Sequence, residues 1–383
     1  MTEQLTLQLQ TLTPLWTGGV DGAMDRIHES GILGGLRWWY EAIVRGLGGR
    51  ACDPTEHRCS LSGDNLKAYE QAIKEGKTLR QALSAAKVCD ACQLFGATGW
   101  RRRFRLNVTP GQGATVWTGS QPINLRPHDR TRGWYLSPGW MGELMVTLTG
   151  EDQAVGEVAA LLLFLEEWGG IGAKQQFGYG LFRCTPEAKA ALSRQARFTL
   201  PGGQGATAEL PDLRDFIFFQ ARLRPQRADW WAQVDSIRQV RHQRPDQWQS
   251  LTQLAQQGAA PISAALKNAW RFGQPWPSRQ MEEWLFGALR HDKRLRSRVN
   301  PGWAVRQGAG AWSITGWIWL PQDAESRPYH DQIADQMQRL LADRTGWQRA
   351  LGLVGAVHSL EVTLTNGLDA WNTVAQTTPG GVA

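Results

Sequence analysis

The sequence predicts an α+β fold of two units, each a sheet of antiparallel strands backed by helices. Three observations predict it. The first half reads β-α-β-β-α-β once two insertions are set aside. The second half repeats the later part of that order, β…ββαβ. The chain also has 383 residues, above the roughly 250–300 at which single cores stop growing. The β-α-β-β-α-β order is that of a ferredoxin-like (RRM-like) domain. The expected units are residues 1–200 and 207–376, joined by a glycine-rich linker at Pro201–Ala206 and followed by a disordered tail at 377–383.

Composition narrows the function classes. Hydrophobic content of 42% with 20% charged residues is that of a globular protein. No apolar run reaches the about 18 residues of a membrane span. The N-terminus shows no secretory signal, so a cytoplasmic location is expected. Net charge is +7, and 34 of the 42 basic residues are arginine. Arginine binds phosphate bidentately and stacks on bases, which points to an anionic polymer; a GC-rich genome gives the same bias. Of the 20 tryptophans, most are expected in the core, with a minority free to stack on bases. Five cysteines do not make a secreted disulfide scaffold.

Taken in order, Leu5–Thr13 alternates Leu with Thr and Gln, the period of a half-buried strand. Val20–Ser30 is a polar loop carrying Asp21, Asp25, Arg26, His28 and Glu29. A helix follows from about Ile32 to Leu47, with Leu33, Leu36, Trp39, Tyr40 and Ile43 on one face. Ser30 is its N-cap candidate, and Gly31, Gly34 and Gly35 leave room for an anion at the helix N-terminus. Arg37 lies on the second turn. The insertion at about 49–96 carries four cysteines and a helix predicted over Leu66–Ala86. Arg101, Arg102 and Arg103 enter a strand running to Val108, and a loop-rich stretch, Thr109–Met141, disperses Arg126, Arg130 and Arg132. A strand at Glu143–Thr149 leads into an apolar helix at Glu151–Trp168 and the glycine-rich loop 169–180, then a short strand to Cys184. In the second half, a strand is predicted at Phe216–Leu223. Helices follow near Trp230–Val240, Pro261–Arg271 and Ser278–Leu289. A strand at Trp312–Leu320, a helix at Tyr329–Leu341 and a strand at His358–Leu364 complete it.

The glycine loop runs from helix to strand, opposite to nucleotide-binding loops, which follow a strand and open a helix. A dinucleotide or ATP site is therefore not expected. Gly170, Gly172, Lys174, Gln176, Phe177 and Gly178 instead suggest a backbone-plus-cation cradle for phosphates; the alternative is a turn whose glycines only relieve strain. Cys52-x6-Cys59 with Cys89-x2-Cys92 has the spacing of a closed tetrahedral zinc site, with His57 as an alternative ligand and free thiols as the competing reading. His28 among acidic residues is a candidate general base for RNA cleavage, or simply a loop residue. A second basic cluster, Arg290, Lys293, Arg294, Arg296 and Arg298, fits either phosphate contacts or a solvated face.

Four stretches carry a resemblance: Thr13-Pro-Leu-Trp-Thr-Gly18, Ser30-Gly-Ile-Leu-Gly-Gly-Leu-Arg-Trp-Trp-Tyr40, Cys92-Gln-Leu-Phe-Gly96 and the glycine loop. Together they resemble the RAMP superfamily of CRISPR effector proteins, most of all the first subunit of the type III-B Cmr complex. The resemblance covers about residues 5–185. It implies two ferredoxin-like domains and a non-catalytic RNA-binding subunit. That subunit would contact the 3′ region of the guide (CRISPR RNA) and the target RNA beside other RAMP subunits, with a structural zinc. The candidate RNA-contacting set is Arg26, Ser30, Arg37, Arg101, Arg102, Arg103, Gly170, Gly172, Lys174, Gln176, Phe177, Gly178, Arg296 and Arg298, and the metal set is Cys52, Cys59, Cys89 and Cys92. No catalytic residue is expected. The alternative is a metal-independent CRISPR-RNA processing endoribonuclease using His28, as in related RAMP proteins.

Overall fold

The computed structural model describes residues 2–19, 22, 24–53, 55–56, 58–113, 115–116, 122–198, 210–290 and 293–376. The first half runs β1 (Thr2–Thr11), α1 (Glu29–Gly46), insert helices α2 (Gly63–Lys74), α3 (Leu79–Ala85) and α4 (Asp90–Phe95), β2 (Phe104–Pro110), β3 (Glu143–Glu151), α5 (Asp152–Trp168), β4 (Phe182–Cys184) and α6 (Pro186–Gln195). These four strands form an antiparallel sheet in the order β2-β3-β1-β4, and short strands between β2 and β3 make two small two-stranded sheets. The alternation in β1 sets its two faces: Leu7, Leu9 and Thr11 are buried while Gln4, Thr6, Gln8 and Gln10 are exposed. Helix α5 is apolar nearly all round, with buried residues from Ala154 to Leu165 without a break, because it has protein on both sides.

The second half runs β5 (Phe216–Pro225), α7 (Asp235–Gln243), α8 (Pro245–Gln256), α9 (Ser263–Phe272), α10 (Arg279–Phe286), β6 (Val299–Arg306), β7 (Trp312–Trp319), α11 (His330–Ala342), α12 (Arg344–Ala350), β8 (Val357–Asn366) and α13 (Gly367–Gln376). Its main sheet has the order β6-β7-β5-β8, all antiparallel, with Ala259–Ala260 added beside β6. Strand order and direction therefore repeat between the two halves, and the class is α+β as expected.

Several local expectations change. The helix predicted over Leu66–Ala86 is two helices, because Gly76 turns at φ +76° and Thr78 with Gln81 forms a capping box that starts α3. Helix α1 begins at Glu29, so Ser30 lies inside it and the N-cap is His28, whose side chain makes no cap bond. The stretch predicted helical near Trp230 opens as a 3₁₀ turn, Trp230–Gln233, before α7. The predicted linker and the tail at 377–383 lie outside the described residues.

Among the described residues no tryptophan is exposed, in line with the packing role expected for most of them. The core of the described residues falls into two clusters, and the division at about residue 200 does not coincide with the boundary between them. One cluster joins Trp39, Phe164 and Trp168 of the first half to Phe216, Phe218 and Trp371 of the second, with Phe164 and Phe218 ring centroids 5.6 Å apart. Helix α13 packs against α5. Among the described residues no helix is long and apolar enough to cross a membrane.

Candidate nucleic-acid interface and thiol centre

The glycine loop sits where the two halves meet. Gly172, Gly178 and Gly180 take positive φ, and so does Lys174 at φ 60°, a conformation that costs a non-glycine residue about 1–2 kcal/mol. The close approaches these glycines allow are to protein. A Cβ on Gly172 would meet Leu15 and the Trp16 carbonyl, and one on Gly178 would meet the Trp303 ring at 2.3 Å; Gly170 faces the backbone of Gly180. Gln175, absent from the predicted set, stitches the loop: its Nε2 donates to the Gly170 and Gly172 carbonyls, and its Oε1 accepts from Trp39 Nε1 at 2.9 Å. From the second half, Lys267 Nζ donates to the Gln176 carbonyl at 2.7 Å, while Trp303 Nε1 and Ser263 Oγ donate to that of Phe177. Lys174 Nζ donates to Ser137 Oγ at 2.6 Å and lies 4.0 Å from the Trp16 ring centroid; burial lowers its pKa. Of the predicted loop residues only the Gln176 side chain is exposed.

At the N-terminus of α1, Ser30 and Gly34 are exposed, and no atom lies within 4 Å of a Cβ built on Gly34. Arg26 is exposed beside Asp25 at 4.0 Å. His28 is mostly covered, its Nε2 2.6 Å from Asp25 Oδ1, and the hydrogen bond to His28 lowers the Asp25 pKa. Asp21 lies outside the described residues.

Arg37 faces away from this end. Its Nε donates to Glu41 at 2.8 Å, its Nη1 to the Gly96 carbonyl at 3.4 Å and its Nη2 to Cys92 Sγ at 3.2 Å. The sulfurs of Cys52, Cys59, Cys89 and Cys92 all lie within 4.8 Å of one another, with Cys52 and Cys92 3.6 Å apart, and none is in a disulfide. A zinc–sulfur distance of about 2.3 Å places tetrahedral sulfurs roughly 3.8 Å apart, so the set has the size and chemistry of a four-thiolate site. Backbone N–H groups of the described residues point at sulfur, among them those from Cys52 to Cys89 and from Cys89 to Cys59. His57 lies outside the described residues. The insert is tied down a second time by Arg80, whose Nη2 is 3.0 Å from the buried Glu157 on α5.

The basic runs separate by exposure. Arg101 is exposed, but Arg102 donates to the Phe104 carbonyl and Arg103 pairs with Glu151. Arg296 is exposed, whereas Arg298 is held by the Trp284 carbonyl, Asp323 and the Trp284 ring. In the long loop, Arg130 bonds to Asn268 and lies over Phe272, so that loop docks on the second half. Missing from the predicted set are Arg105 and Arg183, which share the solvent face of the first sheet with Gln4, Thr6, Asn107 and Gln10. The signal was present: both sit at polar positions of alternating strands.

Residues 8–183 match the family model of the RAMP superfamily. No curated protein matches the chain. Among solved structures it is similar to apo Cmr1 from Pyrococcus furiosus, at 15% identity over 83% of this chain and 88% of that one, TM-score 0.37. It is also similar to a chain of the type III-B Cmr-beta complex bound to cognate target RNA, at 12% identity over 88% and 99%, TM-score 0.35. Cmr6 from Pyrococcus furiosus matches at 15% identity over 48% and 99%, TM-score 0.25. Likenesses this distant carry no argument of their own. The family match covers the first sheet, the cysteine insert and the glycine loop, so residues 8–183 are similar to the RAMP superfamily.

Proposed function

We propose that this chain is a non-catalytic RNA-binding subunit of a type III-B CRISPR effector, holding the 3′ region of the guide and the target RNA beside other RAMP subunits. Both halves are read as ferredoxin-like units, on the shared strand order described above. The observation that carries the proposal is the open polar face of the first sheet. Arg105 and Arg183 stand there among amide and hydroxyl side chains, with the exposed Arg101 just before β2. Such a face suits a sugar–phosphate backbone and offers little to read individual bases. Arg26 and Gln176 extend the exposed polar surface on the side of α1 and the glycine loop.

The four thiols are read as a structural zinc site. With every ligand position filled by Cys52, Cys59, Cys89 and Cys92, a bound ion would staple the insert and leave no open position for catalysis.

Filter binding of guide-like RNA over a salt series tests the proposal. The slope of log K against log salt should be about −0.7 per neutralised phosphate for a single strand, with little dependence on base sequence. A flat response would overturn it. The His28–Asp25 pair favours one second reading, an endoribonuclease in which Asp25 orients His28. Repeat-containing RNA incubated with the protein in EDTA, with and without His28→Ala, separates the two, since cleavage lost in the variant would establish the enzyme.

A further inference from the structure

The guanidinium of Arg37, a family-matched candidate for RNA, is spent on the thiol centre. All three of its nitrogens are engaged, with Glu41, the Gly96 carbonyl and Cys92 Sγ. The contacts belong to a larger pattern on one face of α1. Four residues on, Glu41 is buried and its pKa is raised by that burial. Four further on, Arg45 is 2% exposed and donates to the carbonyls of Ala51, Cys52 and Pro211. The face Arg37–Glu41–Arg45 thus holds both sides of the cysteine cluster, the Cys52 segment and the α4 segment that carries Cys92.

The donors matter most. Among the described residues, N–H groups that point at sulfur include Arg37 Nη2 at Cys92, the Cys52 amide at Cys89 and the Cys89 amide at Cys59. A neutral thiol is a weak acceptor, and a charge-assisted bond is much the stronger when its acceptor is an anion. A half-buried guanidinium that donates to sulfur therefore fits a thiolate ligand. On the reading of the four cysteines as a zinc site, we infer that Arg37 is a positioning residue of that centre. It orients the Cys92 ligand and offsets its charge, and it is not a phosphate contact. Losing such an outer partner typically costs about 10–100-fold in metal affinity.

The experiment uses the full chain as wild type, Arg37→Ala and Arg37→Lys. Zinc affinity is read by chelator competition, the visible spectrum is recorded after cobalt substitution, and RNA binding is measured on zinc-loaded protein. Arg37→Ala should lose about 10–100-fold in zinc affinity. Its sulfur-to-cobalt charge-transfer band should shift while the tetrahedral ligand-field intensity is retained, and its RNA affinity should equal wild type. Arg37→Lys keeps the charge without the fork and should recover part of the loss; it also serves if the alanine variant does not fold. Unchanged zinc affinity in both variants would overturn the inference, as would weakened RNA binding with zinc affinity intact. Wild-type protein without stoichiometric zinc would instead remove the metal reading itself, and this inference with it.

Discussion

Lys267 carries its amine where little water reaches. It lies on α9, is 7% exposed, and donates to the Gln176 carbonyl of the glycine loop. Burial alone pushes its pKa down to about 7, against about 10.4 in an unfolded chain. Between those values the unfolded state binds a proton that the folded state does not, so stability rises with pH across that window. Above about pH 10.4 the effect is exhausted, and below about pH 7 both states are charged and the penalty is fully felt. Lys267→Met removes the titrating group. The stability difference between wild type and variant, from urea unfolding, should change in favour of wild type by about 1.4 kcal/mol per pH unit between pH 7.5 and 9.5. A difference independent of pH would mean that Lys267 is not desolvated. Nothing in the sequence marks this lysine. Ser263, Lys267 and Trp303 are far in the chain from the loop they hold, and no local pattern encodes a contact between distant segments.

At the scale of the element, the glycine loop and the start of α1 give opposite expectations for the same substitution. Gly178 sits at φ +81° under the Trp303 ring. Gly178→Ala adds a left-handed penalty of about 1–2 kcal/mol to a collision in a filled site, and should lower stability by roughly 3 kcal/mol or more. Gly34 lies inside α1 with open space around it, so Gly34→Ala should raise stability by about 0.5–1 kcal/mol. Thermal unfolding of both variants reads the contrast, and equal effects would mean that the loop is not clamped. Strands and helices were legible where periodicity was strong, as in β1, α1, α5 and β7. Strand β6 was not, because Pro301 and Gly302 read as a break. They mark a register shift between Pro301 and Ala304, one of the places where a strand tolerates such residues. The cysteine cluster was legible from spacing alone, since ligand geometry constrains spacing. The glycines announced a tight loop, but not that protein would fill the space beside them.

For the whole molecule, the aromatic cluster between the halves decides how the chain unfolds. Phe218 is fully buried in β5, with ring centroids 5.5 Å from Trp168 and 5.6 Å from Phe164, both on α5. Trp371 on α13 reaches Phe164 at 5.7 Å and Phe198 at 4.7 Å. Two independently cored units would each unfold alone, whereas a shared core links their fates. Phe218→Ala should cost roughly 3–5 kcal/mol, and that loss should appear in one transition followed identically by far-UV circular dichroism and tryptophan fluorescence. Separated transitions, with only one shifted by the substitution, would show that the halves fold on their own and that the cluster is a contact between finished domains. Coincident transitions would mean that the first sheet, with Arg105 and Arg183 on its open face, keeps its shape only while the second half is folded against α5.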